Sequence, residues 1–272
     1  MTRTIGLGHF TFLDLPPADL MKLAASTGFG FVGLRLHPVA PGGIFYDLPP
    51  GSPTAREIED LMEATGISVY DIETVVIDAV FDPPALRSVL EQAANLKAER
   101  LNVCGDDNDP NRLQANFNAL CELAASYGIG VDIECMKWRS VNSLAKCVEL
   151  VSASGRTNAG VLIDALHLCR CGASARDIAA VPPEMIRSAQ LCDAPITPPE
   201  TIEAAIVEAR GGRLIPGDGG LPLADIVAAI PVTAKISVEL PMTNDQSDEN
   251  LAGLILSRTQ SLFTPNPRDT CQ

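Results

Sequence analysis

Eight short runs of apolar and β-branched residues, each followed by a longer stretch of helical periodicity, leave this chain few folds to choose from. The runs are Thr4 to Phe10, Phe31 to Leu36, Ser68 to Val76, Arg100 to Cys104, Gly130 to Met136, Gly160 to Asp164, Ile186 to Cys192 and Ala234 to Leu240. Between them lie helical stretches such as Pro17 to Thr27, Pro53 to Thr65, Pro84 to Leu96 and Pro110 to Tyr127. These open with proline in the first turn, where its missing amide costs nothing. Such alternation yields parallel strands joined by crossover helices. Right-handed βα units in this number close on themselves, so the expected fold class is α/β, a (β/α)8 TIM barrel. The 272 residues suit one such barrel, and no linker divides them. The expected organisation is a single barrel over residues 1–263 and a frayed tail over 264–272, which has two Pro and no periodicity.

Composition decides the core and narrows the partners. Hydrophobic residues make up 46% of the chain and aromatic ones 4%, so the core is to be built from Ala, Val, Leu and Ile. Asp plus Glu number 34 against 20 Lys plus Arg, a formal net charge of -14. A chain this acidic repels phosphate backbones, which argues against nucleic acid as a partner. An anionic small molecule fits only where Arg residues or a bound cation reverse the local field. No apolar run approaches the roughly 18 residues of a membrane-spanning helix, so no membrane partner is expected. The Cys residues at 104, 121, 135, 147, 169, 171, 192 and 271 include no CxxC pair and follow no secretory leader. They read as reduced thiols of a cytoplasmic protein, with Cys169 and Cys171 as packing residues rather than soft-metal ligands.

Two connections exceed what a minimal barrel needs. Val32 to Pro53 is rich in Pro and Gly, and Asp193 to Leu223 sets the last two strands far apart. Long βα loops sit over the active-site mouth of such barrels, so both are read as functional.

Four consecutive strands end on a polar residue where the apolar run stops: Glu134 in VDIECM, Asp164 in VLIDALH, Gln190 in SAQLCD and Glu239 in ISVELP. Their side chains are expected to converge on the barrel mouth. Three carboxylates so placed raise one another's pKa unless a countercharge is present, and a divalent cation supplies one. An all-oxygen set favours Mn or Mg over Zn or Cu. His167, three residues beyond Asp164, is a candidate catalytic acid or base titrating near neutral pH. His9 and His37 also end strands, and for them pocket lining and solvated surface both remain open.

With Glu134, Asp164 plus His167, QLCDAP, RLIPGDGGLPL and SVELP, the chain resembles the sugar phosphate isomerase/epimerase family of xylose-isomerase-like TIM barrels. Members include ketose epimerases, inosose dehydratases, 3-dehydroshikimate dehydratases and apurinic endonucleases. The resemblance implies a metal on Glu134, Asp164, Gln190 and Glu239, with Gln190 standing where the family usually has His. That Gln, DALHLCRCG and QLCDAP are similar to bacterial 3-dehydroshikimate dehydratases. Those enzymes carry an aromatic and Arg motif after the third strand, where this chain reads DIETVVIDAVFDP. Members of the family often pair, so the resemblance allows a homodimer without fixing the oligomeric state. The endonuclease branch needs extra His ligands and a basic face, which three His and a charge of -14 do not supply.

The resemblance implies a small polyhydroxy carbonyl substrate, with Glu134 and Glu239 removing and returning a proton next to the carbonyl. The outcome is isomerisation or epimerisation of a keto-sugar. If a β-hydroxyl leaves instead, it is dehydration of 3-dehydroshikimate or a similar cyclic keto-acid, with His167 as the acid. Arg35, His37, Glu73, Lys137, Arg170, Arg210 and Arg213 are the candidate substrate contacts, the Arg residues because guanidinium groups grip carboxylates and phosphates. PGDGG in the long loop is read as a tight turn. Two other classes are carried alongside: an aldolase using a Lys137 Schiff base, disfavoured because nearby carboxylates raise an amine's pKa, and a sugar-binding barrel without activity.

Overall fold

Each of the eight apolar runs forms a strand. The computed structural model describes residues 3–242 and 245–264. The strands are β1 (Ile5–Leu7), β2 (Phe31–Leu34), β3 (Ser68–Ile77), β4 (Arg100–Gly105), β5 (Gly130–Glu134), β6 (Ala159–Asp164), β7 (Ile186–Leu191) and β8 (Lys235–Val238). Neighbours pair in parallel and β8 closes on β1, giving the expected barrel. Among the described residues the connections carry α1 (Pro17–Thr27), α2 (Pro53–Thr65), α3 (Arg87–Asn95), α4 (Pro110–Ala125), α5 (Leu144–Ser154), α6 (Ala165–Arg170), α7 (Ala175–Ala179), α8 (Ile202–Gly211), α9 (Leu223–Ala229) and α10 (Asp248–Ser261). The stretch read as one helix from Pro84 begins instead as a 3-10 turn over Pro83–Leu86, where two adjacent prolines offer no amide for a regular start. No described helix is long and apolar enough to cross a membrane. The frayed tail expected at 264–272 falls, apart from Thr264, outside the described residues, as does Cys271. The other seven Cys are free thiols.

Aliphatic side chains fill the layer between sheet and helices, as composition required, with Ile72, Leu101, Val103, Val131, Ile133, Val161 and Ile163 all buried. The barrel's interior is different. Alternation along each strand turns every second residue inward, and many of these are polar. Asp71 and Glu73 of β3, Asn102 of β4, Asp132 and Glu134 of β5 and Ser188 and Gln190 of β7 are all buried. The Ser188 hydroxyl donates to Asp132 at 3.2 Å, and the Asn102 amide donates to Asp71 at 2.5 Å. Arg100 pairs with Asp132 and fills the space that a Cβ at Gly130 would need. A polar column therefore runs up the barrel to its carboxyl end.

Both long connections are ordered over that end. The β2–α2 segment lays Tyr46 on His9, with ring centroids 5.1 Å apart, and ties the Tyr46 hydroxyl to the Leu13 carbonyl. His9 is therefore a buried structural residue: its Nδ1 accepts the Arg35 amide at 3.0 Å. The β7–α9 segment contains α8 and then winds around one carboxylate. Asp193 accepts the backbone amides of Ala194, Gly217, Gly219 and Leu221 at 2.8 to 3.0 Å. The PGDGG turn is thus a clasp on Asp193, with Gly217 at φ 93° where only glycine is unstrained.

Candidate metal centre and catalytic cavity

Glu134 and Asp164 are the last residues of β5 and β6, so the sheet delivers both carboxylates to the mouth. Asp164 also caps α6, accepting the His167 amide at 2.8 Å. That bond begins the helix immediately after the strand and turns the His167 ring back over the carboxylate. Ligand atoms of Glu134, Asp164 and His167 lie within 4.8 Å of one another, the one such group of His, Cys, Asp and Glu among the described residues. Bonds of roughly 2.0–2.3 Å to a central ion place its ligands at most about 4.6 Å apart, so this spacing fits one divalent cation with little adjustment. Nδ1 of His167 and the Gln190 amide nitrogen are buried without hydrogen-bond partners.

The centre differs from the expected set in two ways. His167 joins Glu134 and Asp164, whereas Glu239 lies outside the group of mutually close atoms. The guanidinium of Arg213 accounts for the difference. It sits 2.6 Å from Asp164 and 3.2 Å from Glu239, and donates to the Glu239 and Ala209 carbonyls, both at 3.0 Å. Arg213 is among the most deeply buried large side chains of the protein. It is a tethered countercharge for the carboxylates rather than a free anion-binding arm. Gln190 is buried opposite Asp164 in the β6–β7 register and does not line the cavity above.

Burial sets the protonation of these groups. It raises the Glu134 carboxyl well above the ordinary range, and Glu239 and Asp164 push it further. Glu239 is raised to about 7, burial outweighing the pull of Arg213. Burial acts on Asp164 in the same direction, yet Arg213 and His167 hold it below its ordinary value. His167 is pushed down to about 4 by burial. Its ring is therefore neutral at pH 7, which corrects the expectation of an imidazole titrating near neutrality and suits it to ligation.

A cavity of about 360 Å³ opens beside the centre, lined by Glu134, His167, Arg213 and Glu239 together with Phe10, Arg35, Ile44, Thr74, Cys104, Met136, Trp138, Arg139 and Arg210. Of the sequence's substrate contacts, Arg35, Arg210 and Arg213 reach it. Glu73 does not. Its carboxylate is wholly buried and accepts the amides of His9 and Phe10 at 2.9 and 3.1 Å, with Arg35 at 3.4 Å. A Cβ at Gly33 would lie 2.6 Å from it, so Gly33 permits this approach. Arg170 is a strut, forking onto Glu208 at 2.8 Å and the Pro195 carbonyl at 2.7 Å, which anchors α8. His37 and Lys137 are half-buried and are not among the residues lining the cavity. Trp138 and Arg139, which are not among the candidates of the sequence, also line it and stand only four and five residues past Glu134 in the same loop. Trp138 packs edge-on against His167, centroids 5.2 Å apart, and Arg139 pairs with Asp106.

Gln190→His is expected to add an imidazole beside Asp164 and shift metal preference toward Zn by about tenfold relative to Mn. Competitive binding titrations check it, and an unchanged preference would mean that Gln190 does not reach the ion.

Comparison with known proteins places this geometry in a family. A 3-dehydroshikimate dehydratase of Pseudomonas aeruginosa is 31% identical over 131 residues, which is 47% of this chain and 20% of that protein. The chain thus spans about a fifth of the curated relative it matches. The crystal structure of the IolI protein with a bound zinc atom superimposes with a TM-score of 0.78 at 15% identity, covering 96% of this chain and 98% of that one. A D-allulose 3-epimerase from Methylomonas sp., in complex with D-allulose, superimposes with a TM-score of 0.71 at 16% identity, covering 96% and 97%. The model of the xylose isomerase-like TIM barrel family matches residues 21–255, and the chain belongs to that family.

Proposed function

We propose that this chain is a divalent-cation-dependent enzyme that moves a proton next to the carbonyl of a small polyhydroxylated substrate, as an isomerase or epimerase. The observation that carries the reading is the cluster of Glu134, Asp164 and His167 ligand atoms at the mouth, bordering a cavity. These three residues hold the ion. Two carboxylates and an imidazole favour Mn over Mg, because Mg prefers oxygen ligands and water. When bound, the cation supplies Lewis acidity that polarises the substrate carbonyl and lowers the cost of removing the neighbouring proton. Glu134 and Glu239 both line the cavity, and this pair takes the proton from one face and returns it to the other. Glu239, raised to about 7, is suited to exchange a proton at neutral pH. Arg213 holds it in place, and Trp138 restrains the His167 ring.

One observation favours a second reading. Arg35, Arg139 and Arg210 all border the cavity of a chain whose net charge is -14. Arg35 is paired with Glu73 and Arg139 with Asp106, so Arg210 is the guanidinium of the three with no ion pair among the described residues, and it suits a substrate carboxylate. With a cyclic keto-acid, proton removal followed by loss of a β-hydroxyl gives dehydration, and Glu239 rather than neutral His167 is the acid for the leaving water. The dehydratase relative makes 3-dehydroshikimate the first compound to try.

Incubation with Mn in heavy water tests both. Deuterium entering D-allulose or its epimer supports epimerisation, and an aromatic product from 3-dehydroshikimate supports dehydration. Chelation is expected to abolish either activity and Mn to restore it. Turnover that survives thorough chelation, or no exchange in any keto-sugar or keto-acid, would overturn the proposal in favour of a barrel that only binds.

A further inference from the structure

A second cavity of about 720 Å³ lies beside the catalytic one, built by the loops after β4 and β5 and the facing sides of α4 and α5. Trp138 and Arg139 line both cavities and form the wall between them. The charges in the second cavity are largely matched. Asp107 accepts two bonds from Arg112 at 2.5 and 2.7 Å, Asp106 pairs with Arg139, and Lys146 donates to the Ser140 carbonyl at 2.9 Å. With Glu149 also present, the lining has no surplus of positive charge to attract a phosphate. The remaining chemistry is the exposed amides of Asn108, Asn111 and Asn142, the side-chain oxygen of Gln114, whose amide nitrogen donates to Asn118 and the Leu150 carbonyl, and the half-buried Trp138 ring. Flat amides that both donate and accept, beside one aromatic face, suit a neutral ring carrying hydroxyl groups.

We propose that this cavity is a second subsite, which takes a neutral hydroxylated ring attached to the reacting part of the substrate. The proposal rests on the catalytic reading above and extends its substrate class to a glycoside-sized molecule spanning the Trp138–Arg139 wall. Trp138 touches His167 on the catalytic side, so the occupied subsite and the metal centre share one side chain.

Trp138 is the sole tryptophan of the chain, so its fluorescence reports the wall directly. The protein, loaded with Mn, is titrated with a methyl glucoside and separately with inorganic phosphate. The glucoside is expected to give a saturable change with a dissociation constant in the millimolar range, ordinary for a fragment. Phosphate is expected to give none. Asn142→Leu and Gln114→Leu should each weaken the glucoside by about tenfold. Mn affinity should stay unchanged in both, and the glucoside response should survive Glu134→Gln. Absence of any saturable response would overturn the subsite, as would saturation by phosphate instead. So would a response lost in Glu134→Gln but kept in the two Leu variants, because it would place the sugar in the catalytic cavity. Loss of Mn binding in the wild type would count against the catalytic reading and leave this titration interpretable.

Discussion

Glu134→Gln is expected to lower kcat by about a thousandfold and to weaken Mn binding by at least about a hundredfold, with the fold intact. Gln keeps the shape of Glu but cannot carry the charge or the proton. Glu134 closes β5, is buried, and belongs to the group whose ligand atoms lie within 4.8 Å. Loss of the carboxylate therefore removes one of three ligands and one of two proton-transfer groups together. Stability should not fall, because burial, then Glu239 and Asp164, push the Glu134 carboxyl up, and a neutral amide there carries no charge to desolvate or repel. Steady-state kinetics, calorimetric Mn titration and thermal melting of one preparation check the three parts. Wild-type turnover in the variant would end the two-carboxylate mechanism. A collapsed melt would mean that Glu134 serves the fold.

Arg213→Met is expected to destabilise the metal-free protein by about 3–5 kcal/mol, the usual result of leaving a buried charge without its partner. In a domain of this size that corresponds to a fall of roughly 10 °C in Tm. The guanidinium lies against Asp164 and Glu239, and Met fills similar volume without charge. The loss should depend on pH, and its sign follows from linkage. Glu239 has a folded pKa raised from 4.5 to about 7, so it contributes stability that is complete below its unfolded pKa and lost as pH rises through 7. His167, lowered from 6.5 to about 4, acts oppositely, with stability lost as pH falls below 6.5. Between pH 6.5 and 8 the carboxyl governs, so the chelated wild type should soften as pH rises. The slope is at most about 1.4 kcal/mol per pH unit for each proton released. In Arg213→Met the Glu239 carboxyl loses the charge that pulls it down, so the deficit against wild type should be larger at pH 8 than at pH 6. Mn should restore much of the lost Tm at pH 8. Melts in chelator and in Mn at the two pH values decide it. A variant as stable as wild type at pH 8 in chelator would show that Arg213 is not the countercharge.

The barrel and the addresses of its carboxylates were legible because both follow from local rules. Short apolar, β-branched runs bounded by helices give parallel strands, and a polar residue ending such a run must stand at the mouth. Glu134 and Asp164 follow that rule, and by the same rule Trp138 and Arg139, in the loop leaving β5, stood in plain view. What was misread depends on contacts between distant residues. Arg170 looks like an anion clamp until Glu208, 38 positions away, is seen to bind it. Arg213 looks like a loop residue over the mouth, and only the clasp of residues 217–221 on Asp193 shows how its chain is drawn into the barrel. His167 stands out in the sequence as a neighbour of Asp164, but its low pKa comes from burial that no spacing reveals. The interior carboxylates of β3 and β5 are legible as alternation, yet their burial contradicts the simple expectation of an all-aliphatic barrel.

Anomalous scattering from a manganese-soaked crystal tests the assignment of the ion most directly. The expected map has one strong peak at the end of β5 and β6, bonded by a Glu134 oxygen, an Asp164 oxygen and a nitrogen of His167. A map with no peak there at saturating manganese, with the Arg213 guanidinium still bridging Asp164 and Glu239, would contradict it.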